Sequence, residues 1–236
     1  PYVKVYVNVD DIFARARDYV RVRQPLATVF EGSATSDPVA VETWTGLLRR
    51  AIEFFAAMPL GSFRFATKYA DVDPLLALNH KGKTEVRFSI NCDHIINRFE
   101  RGVPGLRFRL QAARRVAAAG YPLGFLIAPI FVFEGWREQY LELLRAVRNH
   151  LEGAVKLDTL TFELITHRFT VRGKRIIEQA YPDTEVPLTT EGRRFKYGQF
   201  GYGKYVYPEA VMRELEDLFR AKIKEYFPGA RILYFV

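Results

Sequence analysis

Apolar and polar positions fall into blocks along the 236-residue chain, and the blocks predict an alternation of strands and helices. Residues 2–9 alternate with period two and read as a strand, with Asp10 and Asp11 placed to cap a helix to about Val22. Residues 26–30 form a short apolar strand ending at Glu31-Gly32-Ser33. Asp37-Pro38 then opens a helix predicted to run to Met58, the proline suiting a first turn. Strands are predicted over 62–67 and 84–90, with a short helix over 72–80 between them. A basic amphipathic helix over 106–119 is closed by Gly120 and followed by a wholly apolar strand over 123–130. A helix over 136–151, a strand over 159–165 and a helix over 171–179 continue the order. The last fifth gives a Gly-rich, basic and aromatic segment, a helix over 208–226 and a strand over 231–236.

Strands separated by helices favour parallel pairing, and wholly apolar strands suit a sheet covered on both faces. A closed eight-unit barrel usually takes about 250 residues, so about six units predict an α/β fold with a partial, open barrel. The chain opens at Pro1, directly in a strand-like run, which leads us to expect further natural sequence ahead of it. Polar residues cluster just after the predicted strands: Glu31, Ser33, Ser36, Lys68, Ser89, Asn91, Glu163 and His167. Each alone reads equally well as an ordinary cap or loop residue, but in barrels the active site sits at such strand ends.

Composition narrows the classes. With 35 Lys+Arg against 27 Asp+Glu the net charge is +8, which permits a polyanionic partner. At 49% hydrophobic and 26% charged residues the chain is not intrinsically disordered. No apolar run approaches the ~18 residues of a transmembrane helix, and no secretory leader is visible, so a cytoplasmic protein without membrane contact is expected. The lone cysteine, Cys92, excludes an intrachain disulfide and a Cys-based metal cage and fits a reducing compartment. The four histidines, His80, His94, His150 and His167, lack metal-ligand spacing. No P-loop, dinucleotide fingerprint or nucleophile elbow is present.

Three features remain as candidate chemistry. Residues 32–37 lie between a strand and a helix N-terminus, a place to hold a carboxylate or a hydroxylated ligand, or simply a Ser/Asp cap. Lys68, after an apolar strand, is placed to meet an anion or to lie solvated, and Cys92, just past another strand, to face the barrel mouth or to sit inert in the core. Residues 193–205 mix bases, rings and glycines; such a hairpin either meets phosphates and stacks on nucleobases, or packs its rings on the body.

Several longer runs carry a resemblance. They include Val29-Phe30-Glu31-Gly32-Ser33-Ala34-Thr35-Ser36-Asp37, Arg64-Phe65-Ala66-Thr67-Lys68, Arg87-Phe88-Ser89-Ile90-Asn91, Thr161-Phe162-Glu163-Leu164-Ile165-Thr166-His167-Arg168-Phe169 and Gly201-Tyr202-Gly203-Lys204-Tyr205. In this order and spacing, across essentially the whole chain, they resemble the spore photoproduct lyase family of radical S-adenosylmethionine (SAM) DNA-repair enzymes. The resemblance implies a single partial (β/α)6 barrel over residues 1–236 with a DNA-binding hairpin at about 193–207. It implies SAM and a [4Fe–4S] cluster as cofactors, and lesion-bearing DNA and an electron donor as partners; a monomer is expected because no long apolar surface stripe demands a dimer. The implied reaction uses a 5′-deoxyadenosyl radical to take hydrogen from 5-thyminyl-5,6-dihydrothymine, after which the methylene bridge breaks and a cysteine returns a hydrogen atom.

By this likeness Ser36, Lys68 and Ser89 match SAM-contacting positions, and Tyr197, Gln199, Phe200, Lys204 and Tyr205 fall in the lesion-binding hairpin. Two departures bear on activity. The family's cysteine cluster motif is absent from this sequence and is expected upstream of Pro1, so no metal ligand is assigned in this chain. The hydrogen-donor cysteine position is occupied by Ala34, whose methyl C–H bond is too strong for that role, which leaves Cys92 as the one alternative thiol. A homologue with another substrate, and a catalytically silent nucleic-acid-binding protein, are the rival expectations.

Overall fold

The computed structural model describes residues 4–33, 35–198, 201 and 203–236. The chain opens with α1 (Val9–Arg23) and runs into β1 (Thr28–Gly32). Two helices follow, α2 (Val39–Thr45) and α3 (Leu47–Ala56), then β2 (Gly61–Thr67), α4 (Asp73–Leu76) and β3 (Thr84–Ile90). Next come α5 (Asp93–Phe99), α6 (Leu106–Ala118), β4 (Leu123–Ile130) and α7 (Trp136–Leu151). The C-terminal part holds β5 (Thr161–Thr166), β6 (Phe169–Thr170), α8 (Val171–Ala180), β7 (Arg194–Tyr197), β8 (Gly203–Val206), α9 (Glu209–Tyr226) and β9 (Arg231–Phe235).

Six strands form one parallel sheet in the order β1-β2-β3-β4-β5-β9, curled into a half-barrel whose edges, β1 and β9, do not meet. Side chains of a strand alternate between faces, so one set turns to the helices and the other into the barrel. On β3, Val86, Phe88 and Ile90 join the helix-side core, while Glu85, Arg87 and Ser89 turn inward. Phe125 and Ile127 of β4 and Phe162 and Leu164 of β5 extend the same apolar layer under α6, α7 and α9. A second sheet, in the order β6-β8-β7, is antiparallel and forms the hairpin region.

The α/β partial barrel is as expected, but three elements differ. Residues 4–8 form no strand, and Val5, Tyr6 and Val7 are exposed, because alternation makes a strand only where a neighbour supplies the ladder. The sixth strand of the sheet is instead β9, parallel to β5. Asp10 and Asp11 lie in the first turn of α1, with Asn8 at the cap position. The predicted 38–58 helix is broken at Gly46, whose φ of +61° is a left-handed conformation that glycine adopts freely. There the buried Glu42 carboxylate takes the amides of Leu48 (2.8 Å) and Arg49 (3.3 Å), supplying the first turn of α3 with acceptors. Helix α5 has no counterpart in the predicted elements, being only about two turns of helix directly after a strand.

Candidate active site and hairpin

A cavity of about 530 Å³ opens at the C-terminal ends of β1, β2 and β3. The loop after β1 brings Ser33, Thr35 and Ser36 to it, the end of β2 brings Lys68, and β3 brings Ser89. The three residues matched to SAM contacts are thus collected in one cavity from three elements. Ser33 has φ +54°, an uncommon conformation for a residue with a side chain, and its carbonyl takes the Ser36 amide at 3.1 Å.

Asp37 fixes this rim. Its carboxylate accepts from the Lys68 amide (2.7 Å), the Thr67 hydroxyl (2.9 Å) and the Val39 amide (3.1 Å). Burial pushes the Asp37 carboxyl above its ordinary range, and the Lys68 and Thr67 hydrogen bonds pull it back. The helix N-terminus expected to cradle a ligand carboxylate is therefore already capped from within, by a side chain of the same loop.

Behind the rim lies a charge cluster without a sequence signal. Lys68 Nζ stands 2.7 Å from Glu100 Oε1, an ion contact out of hydrogen-bond alignment. Glu100 Oε2 accepts from the fully buried Arg109 at 2.6 Å. Arg109 also donates to the carbonyls of Ser89 (3.0 Å) and Pro104 (2.7 Å), tying the β3 and β2 contributions to one guanidinium. Arg109 belongs to the helix predicted over 106–119 as basic and amphipathic, in which nothing marks one arginine as buried.

Deeper in the barrel, Arg64 and Arg87 interleave with Glu31 and Glu163. Arg87 Nη1 reaches both Glu163 oxygens at 2.9 Å, Arg64 Nη1 reaches Oε1 at 3.1 Å, and the Tyr234 hydroxyl donates to Oε2 at 2.8 Å. Burial and then Glu163 push the Tyr234 phenol up to about 12. An arginine between two phenylalanines on β2, and another between Val86 and Phe88 on β3, was the available sequence sign that these strands face a polar interior.

The two other post-strand residues lie elsewhere. Asn91 donates to the Pro129 carbonyl at 2.7 Å and accepts the Cys92 amide at 3.0 Å, a structural role, and His167 sits at the hairpin root. Cys92 does not face the barrel mouth. It is buried on the helix side with Phe88 and Ile90, and desolvation raises its thiol to about 11. Ala34 lies outside the described residues. Among the described residues, no group of three or more His, Cys, Asp or Glu is placed to hold a metal ion, and no helix is long and apolar enough to cross a membrane.

In the hairpin, β7 pairs with β8 so that Phe195 faces Tyr205, Lys196 faces Lys204 and Tyr197 faces Gly203. Tyr205 packs on Phe195 and Phe169, with centroids 5.2 and 5.5 Å away, whereas Tyr197 is 77% exposed. The Phe195 ring lies directly over Gly203, where a Cβ would fall 1.9 Å from its Cζ and push the ring aside. Lys204 is lowered by partial desolvation and by Arg168 and Lys196, a local excess of positive charge. Gln199 and Phe200 lie outside the described residues.

Residues 1–236 match the family described as Spore photoproduct lyase. The chain is 50% identical over 235 residues to a spore photoproduct lyase of Geobacillus sp., covering 100% of this chain and 69% of that protein. It is 47% identical over 235 residues to that of Bacillus subtilis (strain 168), covering 100% and 68%. Among solved structures, a doubly substituted spore photoproduct lyase with bound AdoMet and dinucleoside spore photoproduct superposes with a TM-score of 0.97 at 51% identity, covering 100% of this chain and 69% of that one. A spore photoproduct lyase complexed with dinucleoside spore photoproduct gives 0.97 at 50% identity, with the same coverage.

Proposed function

The chain belongs to the spore photoproduct lyase family, and on that premise we propose that it repairs the thymine lesion 5-thyminyl-5,6-dihydrothymine in DNA by radical SAM chemistry. The observation that carries the assignment to this chain is the collection of Ser36, Lys68 and Ser89 around one cavity at the strand ends. In this reading residues 1–236 act as one partial-barrel domain bearing the DNA-binding hairpin at about 193–207.

The cavity fits AdoMet by its donor set. Hydroxyls of Ser33, Ser36 and Ser89 suit ribose and amino-acid polar groups, and the Lys68 ammonium suits the ligand carboxylate. About 530 Å³ lies within the usual range for a small-molecule site. Bound there, AdoMet would, on taking one electron from an external reductant and releasing methionine, supply a 5′-deoxyadenosyl radical able to take a hydrogen atom from the lesion. The protein's own work is positioning: Arg109 and Glu100 hold Lys68 and the β3 end in register. A [4Fe–4S] cluster belongs to the family's chemistry, but the described residues offer it no ligand set.

On the DNA side, Lys204, Lys196 and Arg168 supply phosphate attraction, and the exposed Tyr197 ring supplies a stacking face for an unstacked base. Gln199, Phe200 and Tyr205 complete the proposed hairpin set, Tyr205 by buttressing the rings. An electron donor, a monomeric state and a cytoplasmic setting belong to the same proposal.

The test is product analysis with the intact, anaerobically prepared protein, AdoMet, reductant and the dinucleotide lesion. Clean thymine dinucleotide supports repair, with a hydrogen donor other than position 34. Lesion-derived adducts with AdoMet cleaved support lesion chemistry that lacks a donor at Ala34. AdoMet cleavage without lesion consumption would overturn the lesion as substrate.

A further inference from the structure

The hairpin is held to the barrel at one point with unusual chemistry. Arg193, just before β7, donates Nη1 to the His167 carbonyl at 2.9 Å and places Nη2 3.0 Å from His167 Nδ1. Its guanidinium carbon also lies 3.8 Å from the ring centroid of Tyr207, just past β8 at the same root end of the hairpin. One planar cation therefore joins three pieces: the barrel rim just past β5, the entry to β7 and the exit from β8. Arginine suits this because its fork serves two acceptors while its face stacks on a ring, which a lysine ammonium does not reproduce.

His167 is built as the acceptor. It is buried, stacked on Phe131 with centroids 4.4 Å apart, and its amide donates to the Ile130 carbonyl at 2.8 Å. Burial and the neighbouring Arg193 lower its pKa to about 4, so the ring is neutral at physiological pH and offers a lone pair to the guanidinium. Beyond this clamp, the described residues tie the hairpin to the rest of the chain through the two-residue pairing of β6 with β8, the packing of Tyr205 on Phe169, and the Val132 amide, which donates to the Tyr207 hydroxyl at 2.9 Å.

We propose that Arg193, clamped on His167, is a positioning residue that fixes the hairpin's pose over the barrel mouth and thereby sets affinity for the lesion-bearing strand. The inference rests on the reading of the hairpin as the lesion-binding element. It assigns Arg193 to the hairpin's root and leaves phosphate contact to Lys196 and Lys204.

Two readouts on the intact protein decide it. Arg193→Lys and His167→Phe are expected to raise the KM for lesion DNA about tenfold, the scale of a lost charge-assisted hydrogen bond, with kcat within about twofold. Amide exchange over 194–197 and 203–206 should accelerate in both, with β3 and β4 keeping parental protection. His167→Asn, whose amide oxygen stands where Nδ1 stood, should restore both. Parental behaviour of Arg193→Lys would overturn the proposal and make Arg193 a simple charge, and equal acceleration in β3 and β4 would overturn it as general loss of structure. A parent that leaves the lesion untouched would instead sink the functional reading, and amide exchange would then still decide the clamp.

Discussion

Arg109, wholly shut off from solvent, donates its Nη2 to Glu100 at 2.6 Å, and the other oxygen of that carboxylate meets Lys68. Removing the guanidinium would strand a buried carboxylate and two carbonyls. Arg109→Met should therefore destabilise the protein by about 3–5 kcal/mol, read as a lower urea midpoint at unchanged slope. Arg109→Lys should recover only part, since an ammonium lacks the fork that reaches Pro104, Ser89 and Glu100 together.

Lys68 is the cation at the cavity rim, and in the proposed function it meets the AdoMet carboxylate. Lys68→Ala should weaken AdoMet binding by about 10- to 100-fold, the usual scale for a hydrogen bond to a charged group. Ser36→Ala and Ser89→Ala should each cost a few-fold. Isothermal titration on folded protein measures all three.

Cys92 is buried on the helix side, with its thiol raised to about 11. At pH 8 only about one part in a thousand is thiolate, so maleimide should label it only as the protein unfolds. Cys92→Ala should leave the lesion products of the parent unchanged. Altered products would return Cys92 to the list of hydrogen donors.

His167 carries the pH dependence. Its pKa is lowered from 6.5 to about 4, so between these values the unfolded chain binds more protons than the native one. Stability should fall as pH falls through that window and level off below it, by about 3 kcal/mol at most. Urea midpoints at pH 7 and 4.5 should differ less in His167→Asn than in the parent.

Gly203 lies within the hairpin, at the start of β8 and opposite Tyr197. A methyl group there would strike the Phe195 ring. Gly203→Ala should weaken binding of lesion DNA while leaving AdoMet affinity and the thermal midpoint close to parental, as parallel titrations and calorimetry would show.

Much of this architecture was legible in residue order. The strands over Thr84–Ile90 and Leu123–Ile130 and the helix over Trp136–Leu151 have the bounds that periodicity predicts, because apolar runs flanked by turn residues carry their own limits. Ser36, Lys68 and Ser89 were visible as post-strand polar residues, since a parallel barrel sends every strand end to the same rim.

What sequence could not supply depends on partners distant along the chain. Whether residues 4–8 or 231–235 become the sixth strand turns on which finds a free edge, and only the folded sheet, with β9 seated on β5, provides the answer. The side of the sheet taken by Cys92 follows from strand parity, but its burial needs the helices packed above it. Arg109 and Arg193 look like any surface base until tertiary packing brings Glu100 and His167 within hydrogen-bond reach. Patterning determines elements because it is local chemistry; charges deep in the protein are placed by the fold, because only burial makes an unpaired charge too costly to keep.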